Sequence, residues 1–248
     1  SFADNYFFLL VLPAFLAAKL LLLSEAHFAD GATMSLGLFR MAFLVMLERT
    51  LTQFMKGVFQ VDILRRPRLD LAIKLGAAFL VFQAWLPSAL ALALLAILAA
   101  LLMYRFSCWR PDLGFRRLEL AVMYLGYLAI VAQLLLEMLA LMGIGHWTGS
   151  LPMHVFTFGA MGLIIPAMLV RISLGHTGRK VAFDTGDRLV IRIMLLAFVV
   201  RIVLPQLFPG AYAHWIHLAA GAWTVAFAVL GFRLMPRLLA PRVDGREH

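Results

Sequence analysis

Apolar runs of roughly twenty residues follow one another along this chain, and the connectors between them alternate in charge. Arginine crowds into the segments around residues 65–68, 105–117, 179–188 and 233–246. The intervening connectors, residues 24–37, 86–88, 143–151 and 206–213, contain no Lys or Arg. About twenty apolar residues are enough to cross a bilayer as a helix. Inside the hydrocarbon a chain must satisfy its own backbone hydrogen bonds, which leaves helices or closed barrels. Lys- and Arg-rich loops stay on the cytoplasmic side. The pattern therefore predicts an all-α, polytopic transmembrane helical bundle of about eight spans with both termini cytoplasmic.

The predicted spans lie near residues 6–23, 37–59, 71–86, 89–104, 118–142, 152–172, 189–205 and 214–234. Pro152 reads as a first-turn proline and Pro205 as a proline that closes a helix. Gly175 and Gly178 read as glycines past a helix end. With 63% hydrophobic and 14% charged residues the 248-residue chain is far from soluble composition. The formal charge of +9 is then an orientation and headgroup signal rather than a nucleic-acid footprint. Cys108 is the only cysteine, so no intrachain disulfide can form. We expect one transmembrane domain, 1–248. The first residue is Ser, and Phe7 already lies in an apolar run, so we expect the chain to be the C-terminal part of a longer protein.

Ionisable residues inside spans are costly and tend to serve function. Glu48 and Arg49 fall near the middle of the second predicted span, with Glu137, Arg192 and Arg201 as prospective partners on other spans. Three roles stay open: a structural ion-pair network, an anion site built on Arg49 and Arg201, and a proton relay through Glu48 and Glu137. Lys19, Lys74 and Arg192 lie near span ends, where their heads can reach the headgroups.

The histidines gather toward the non-basic connectors. His214 and His217 share one helical face at the start of the eighth span, and His154 opens the sixth at a depth like that of His217. Imidazole ligates heme iron and copper. A copper site asks for several imidazoles, with Met or Cys for Cu(I). His154 and His217 are the leading metal candidates, with His214 after them; His27 and His146 fit polar interface residues.

The stretch His154-Val-Phe-Thr-Phe-Gly159-Ala-Met-Gly162, followed by Arg171 and by Leu174-Gly-His-Thr-Gly-Arg179, resembles the signature of the NnrS family. Glu48-Arg49-Thr50-Leu51-Thr52-Gln53-Phe54, the Trp223 to Phe227 stretch and the tail from Pro236 to Gly245 agree with it. The resemblance implies a bacterial inner-membrane protein that binds heme b and copper and serves nitric oxide tolerance in denitrification. Family members carry further N-terminal spans with a histidine-rich motif, which do not appear in this sequence. The resemblance also draws attention to His176, either as an inner metal ligand or, with Arg171 and Arg179, as a lock on open helix ends.

The reading that follows is a membrane heme protein, with copper as a second metal, that meets nitric oxide or another small diatomic ligand within the lipid bilayer. His154 and His217 would bind metal, with His214 and His176 as further candidates, and Arg49 and Arg201 would hold the cofactor's carboxylates. The alternatives are a proton- or ion-coupled transporter or channel, and a non-catalytic membrane subunit of an oxidoreductase bound to a protein partner or a further copy.

Overall fold

The computed structural model describes residues 3–245, with side chains from residue 9 onward apart from residue 10. All its regular elements are helical. Eight long helices carry the fold: α1 (Ala3–Leu22), α2 (Phe28–Phe59), α3 (Pro67–Phe79), α4 (Ser88–Cys108), α5 (Leu118–Leu141), α6 (Leu151–His176), α7 (Thr185–Leu207) and α8 (Tyr212–Leu239). Six of them are long and apolar enough to cross a membrane. The other two are α1, whose apolar stretch is Val11–Leu22, and α3, which continues as a 3-10 helix over Leu80–Trp85.

The boundaries depart from the sequence reading in instructive ways. Helix α2 starts nine residues early and runs for 32 residues, roughly 48 Å at 1.5 Å per residue. That exceeds the hydrocarbon thickness, so Glu48 and Arg49 lie toward the C-terminal part of the helix rather than at its middle. Helix α3 begins at Pro67 in its first turn, where the missing N–H costs nothing. Pro205 lies inside the last turn of α7 rather than closing it.

The chain divides into two compact units. The first comprises Ser1–Arg110 with Glu137–Ile144, the second Pro111–Leu136 with Gly145–His248. In the first unit, Ala18, Met34, Leu38 and Val81 form a buried cluster with Ala14, Phe15, Leu21 and Met41 packed on it. Gly31 makes the α1–α2 crossing close: a Cβ there would lie 2.7 Å from the backbone N of Leu22. Small residues let membrane helices approach in this way.

The first unit also carries an ion network. Glu48 on α2 meets Lys74 of α3 at 3.0 Å, and Arg105 of α4 reaches Asp70 of α3 at 3.4 Å and Glu48 at 4.0 Å. Arg105 also stacks over Trp109, 4.6 Å from its centroid. Arg40 of α2, 1% exposed, donates to Glu137 at 3.0 Å. Lys74 is thus an ion-pair partner rather than a snorkelling side chain. Glu48 and Glu137 are each held by cations, not by one another.

In the second unit α6, α7 and α8 pack together, and α5 meets α6 closely where a Cβ at Gly126 would lie 2.5 Å from Ile164 Cγ1. Tyr124, Tyr127, Phe156, Ile164 and Ile191 are among the unit's fully buried side chains. An apolar cleft of about 710 Å³ opens between α5, α6 and α7, lined by residues such as Leu128, Ala132, Val155, Phe198 and Ile202.

Candidate functional site

The ionisable pair of greatest chemical interest in the second unit joins α6 to α7. His154 ends the first turn of α6, and Arg201, buried at 7% exposure, comes from α7. Arg201 Nη2 lies 2.9 Å from His154 Nε2. A guanidinium only donates, so Nε2 accepts and the imidazole is neutral with its proton on Nδ1. That Nδ1–H donates to the Ser150 carbonyl at 2.8 Å, with the Ser150 hydroxyl at 3.1 Å. The ring is therefore preset in one tautomer, its Nε2 lone pair turned toward a buried cation.

Arg201 has an unusual environment. Its other contact is the Tyr212 ring, 5.7 Å from the centroid, and among the described residues no carboxylate pairs with it. Buried cations normally sit against an anion. Here a neutral imidazole and an aromatic face take that place.

Aromatic side chains continue from this pair. His154 and Phe158 have ring centroids 6.2 Å apart, Phe158 and Trp223 6.3 Å, and Trp223 and Phe227 4.4 Å. Immediately after His154 the helix widens into a π-helical stretch, Val155–Met161, closed by the Gly162 N–H donating to Thr157 C=O. Such stretches occur mostly at functional sites. Gly159 permits the close packing, since a Cβ there would lie 2.6 Å from that of Ala129. Beside His154, the Thr148 N–H donates to Gln206 Oε1 at 2.9 Å and Gln206 Nε2 donates back to the Thr148 carbonyl at 3.1 Å. This bridge ties the segment before α6 to the end of α7.

The sequence model of the NnrS protein matches residues 2–242. The chain belongs to the NnrS family. No curated protein and no solved structure gives a significant match.

The NnrS-like signature Leu174 to Arg179 has a clear physical role. Helix α6 ends at His176, Thr177 caps it, and Gly178 takes φ +69°. The Arg179 N–H donates to Leu174 C=O at 2.9 Å and the Gly178 N–H to Gly175 C=O at 3.2 Å. These two bonds define a Schellman cap, which satisfies carbonyls left open at the helix end. The C-terminal tail docks on it: the Val243 N–H donates to Thr177 C=O at 3.1 Å. Arg179 Nη1 also donates to the Arg237 carbonyl of α8 at 3.3 Å. Of the two roles weighed for this segment, Arg179 and the glycine turn take the helix-end one. His176 is exposed on the last turn of α6, and Arg171 lies beneath Phe183 with its charge near Glu119.

The start of α7 is held from the same side. Asp184 and Asp187 form a reciprocal capping box. Arg233 and Arg237 of α8 bind both carboxylates, Arg237 Nη2 reaching Asp184 at 2.8 Å. Partial burial pulls the Asp184 carboxyl up. The Asp187 and Gly186 N–H groups and the two guanidiniums outweigh that and hold it below the usual carboxylate range.

Within the second unit, the other histidine candidates are not bonded to this pair. His214 and His217 are exposed on α8, and Arg49 is exposed on α2. His154 and Arg201 are joined, yet neither the joint nor the roles of Ser150 and Tyr212 followed from spacing. The sequence reading named Arg201 as an anion-holding residue together with Arg49, but not its bond to His154. Heme and copper make different demands on this set. Among the described residues no group of three or more His, Cys, Asp or Glu is placed to hold a metal ion. One imidazole with its second nitrogen fixed by a backbone carbonyl is the usual arrangement of a metal-ligating histidine. A buried guanidinium beside it without a carboxylate suits an anionic group. The pair fits a heme carried on a single protein imidazole.

Proposed function

We propose that this NnrS-family chain is a membrane heme protein of the bacterial inner membrane that serves the response to nitric oxide. The observation that carries the reading is the buried Arg201, balanced by no carboxylate among the described residues and bonded to the lone pair of a pre-oriented imidazole. His154 would hold the heme iron through its imidazole, with the Ser150 carbonyl fixing its tautomer, and Arg201 would supply countercharge for the heme's carboxylates. Heme, when bound, supplies an iron that takes diatomic ligands. The chain's own residues would hold the ring's orientation and supply the countercharge, with Phe158 beside the imidazole.

Purified protein from heme-replete cells should show a Soret band that shifts on reduction and on adding nitric oxide, with heme b identified as the pyridine hemochrome. His154→Ala should lose the heme, and Arg201→Met should retain less of it. A colourless wild type, or full heme content in His154→Ala, removes the proposal. The transport reading loses ground because both carboxylates it needs, Glu48 and Glu137, are ion-paired.

A further inference from the structure

The first unit contains a second site of different chemistry. Arg65, Arg66, Pro67, Arg68, Leu69 and Tyr104 line a cavity of about 510 Å³ where the chain enters α3 beside the end of α4. The size is that of a small-molecule pocket rather than of an ion hole. Two of the three guanidiniums are oriented. Arg65 Nη2 donates to Thr52 Oγ1 of α2 at 3.2 Å. Arg66 lies over the Tyr104 ring, 5.3 Å from its centroid. Stacking uses the guanidinium's face and leaves its N–H edge available.

No carboxylate lines the cavity. By contrast, Arg40, Lys56, Lys74 and Arg105 of the same unit each face one. The two acids nearest in sequence are already engaged, Asp62 by Lys56 and Asp70 by Arg105. Three arginines thus line a concave space with no carboxylate counterion among the described residues. The cavity sits where apolar helices begin and end, with Leu64 and Leu71 exposed alongside at 55% and 57%. That is headgroup depth on the arginine-rich, cytoplasmic side.

We propose that this cavity binds the phosphate of an anionic membrane lipid, its chains lying against the exposed leucines. Arginine forks suit phosphate oxygens, and free phosphate shares that chemistry, so the test separates the two.

Full-length protein is exchanged into nanodiscs of phosphatidylcholine containing phosphatidylglycerol, and the lipid carried into native mass spectrometry is counted. Wild type should retain phosphatidylglycerol in preference to phosphatidylcholine. Arg65→Gln/Arg66→Gln/Arg68→Gln should weaken that retention on the order of a hundredfold, from three lost surface charges. The control Arg116→Gln/Lys180→Gln/Arg188→Gln, with the same change in net charge, should retain it. Tyr104→Leu, which keeps every charge, should weaken it roughly two- to fivefold, and serves if the triple variant fails to fold. Equal loss in the control overturns the proposal, as does unchanged retention in both cavity variants. Displacement of the lipid by an equal concentration of inorganic phosphate would assign the site to a free anion and overturn the lipid assignment.

Discussion

The same substitution made three residues apart in the signature should move stability in opposite directions. Gly178 occupies the left-handed region at φ +69°, where a residue with a Cβ costs about 1–2 kcal/mol. An added Cβ there would also lie 2.6 Å from Asp244 Cγ, so the Asp244 carboxylate must give way as well. Gly175 lies within the last turn of α6, and a Cβ there would meet nothing within 4 Å. Alanine at that position removes backbone freedom from the unfolded chain and gains up to about 1 kcal/mol. For a chain of this size a kcal/mol moves the thermal midpoint by about 2–4 °C. Gly178→Ala should lower the midpoint in detergent by about 2–8 °C, and Gly175→Ala should raise it by up to about 4 °C. Adding Asp244→Ala to Gly178→Ala should recover part of the loss, because the tail then no longer collides. Equal shifts of the same sign at both glycines would refute the cap as the reason for the motif. So would a Gly178→Ala protein that melts within a degree of wild type.

Two further outcomes follow from charged groups. Because the Asp184 carboxyl is held below its usual value in the fold, its contribution is complete above the unfolded pKa of about 3.9 and disappears as pH falls through the folded value. The midpoint gap between wild type and Asp184→Asn should be constant from pH 7 to 5 and close below about pH 4; a gap that widens on acidification contradicts this. Glu137→Gln takes the carboxylate from the 1%-exposed Arg40 and should cost about 3–5 kcal/mol, seen as a lower midpoint and a smaller monodisperse fraction on gel filtration. The paired change Arg40→Met/Glu137→Leu should restore most of it, and a Glu137→Gln protein as stable as wild type would show that the pair is idle.

Much of the helical framework was legible because apolar runs and charge breaks are one-dimensional signals. The errors came where a helix continues through polar residues. Asp30 and Thr33 satisfy their polar groups locally, Asp30 with His27 and Thr33 with the Ala29 carbonyl, so α2 extends back to Phe28. Arg40, which the sequence reading did not single out, is buried within α2. An ion-pair network around Glu48 and Glu137 was among the roles weighed, but its partners were not legible. Spacing shows which residues share a helical face, but not which face meets which neighbour. Thus Glu48 finds Lys74 and Arg105 rather than a cation on a more distant span.

The histidines show the same limit from the other side. His214 and His217 share a face as their spacing requires, but that face is exposed. His154 is the imidazole whose surroundings have chemical meaning, and its meaning comes from Arg201, 47 residues away. Within the second unit, α6 to α8 are fixed at their arginine-rich end by the Schellman cap, the Asp184–Asp187 box, the Arg233 and Arg237 clamp and the docked tail. At the opposite end the ties are the Thr148–Gln206 bridge and the His154–Arg201 bond, followed directly by a π turn. A site that must let an arginine exchange an imidazole for an anion needs rigidity beneath it and looseness around it. The exchange proposed for Arg201 would fall at the His154 end, while the family signature forms the cap and clamp at the other.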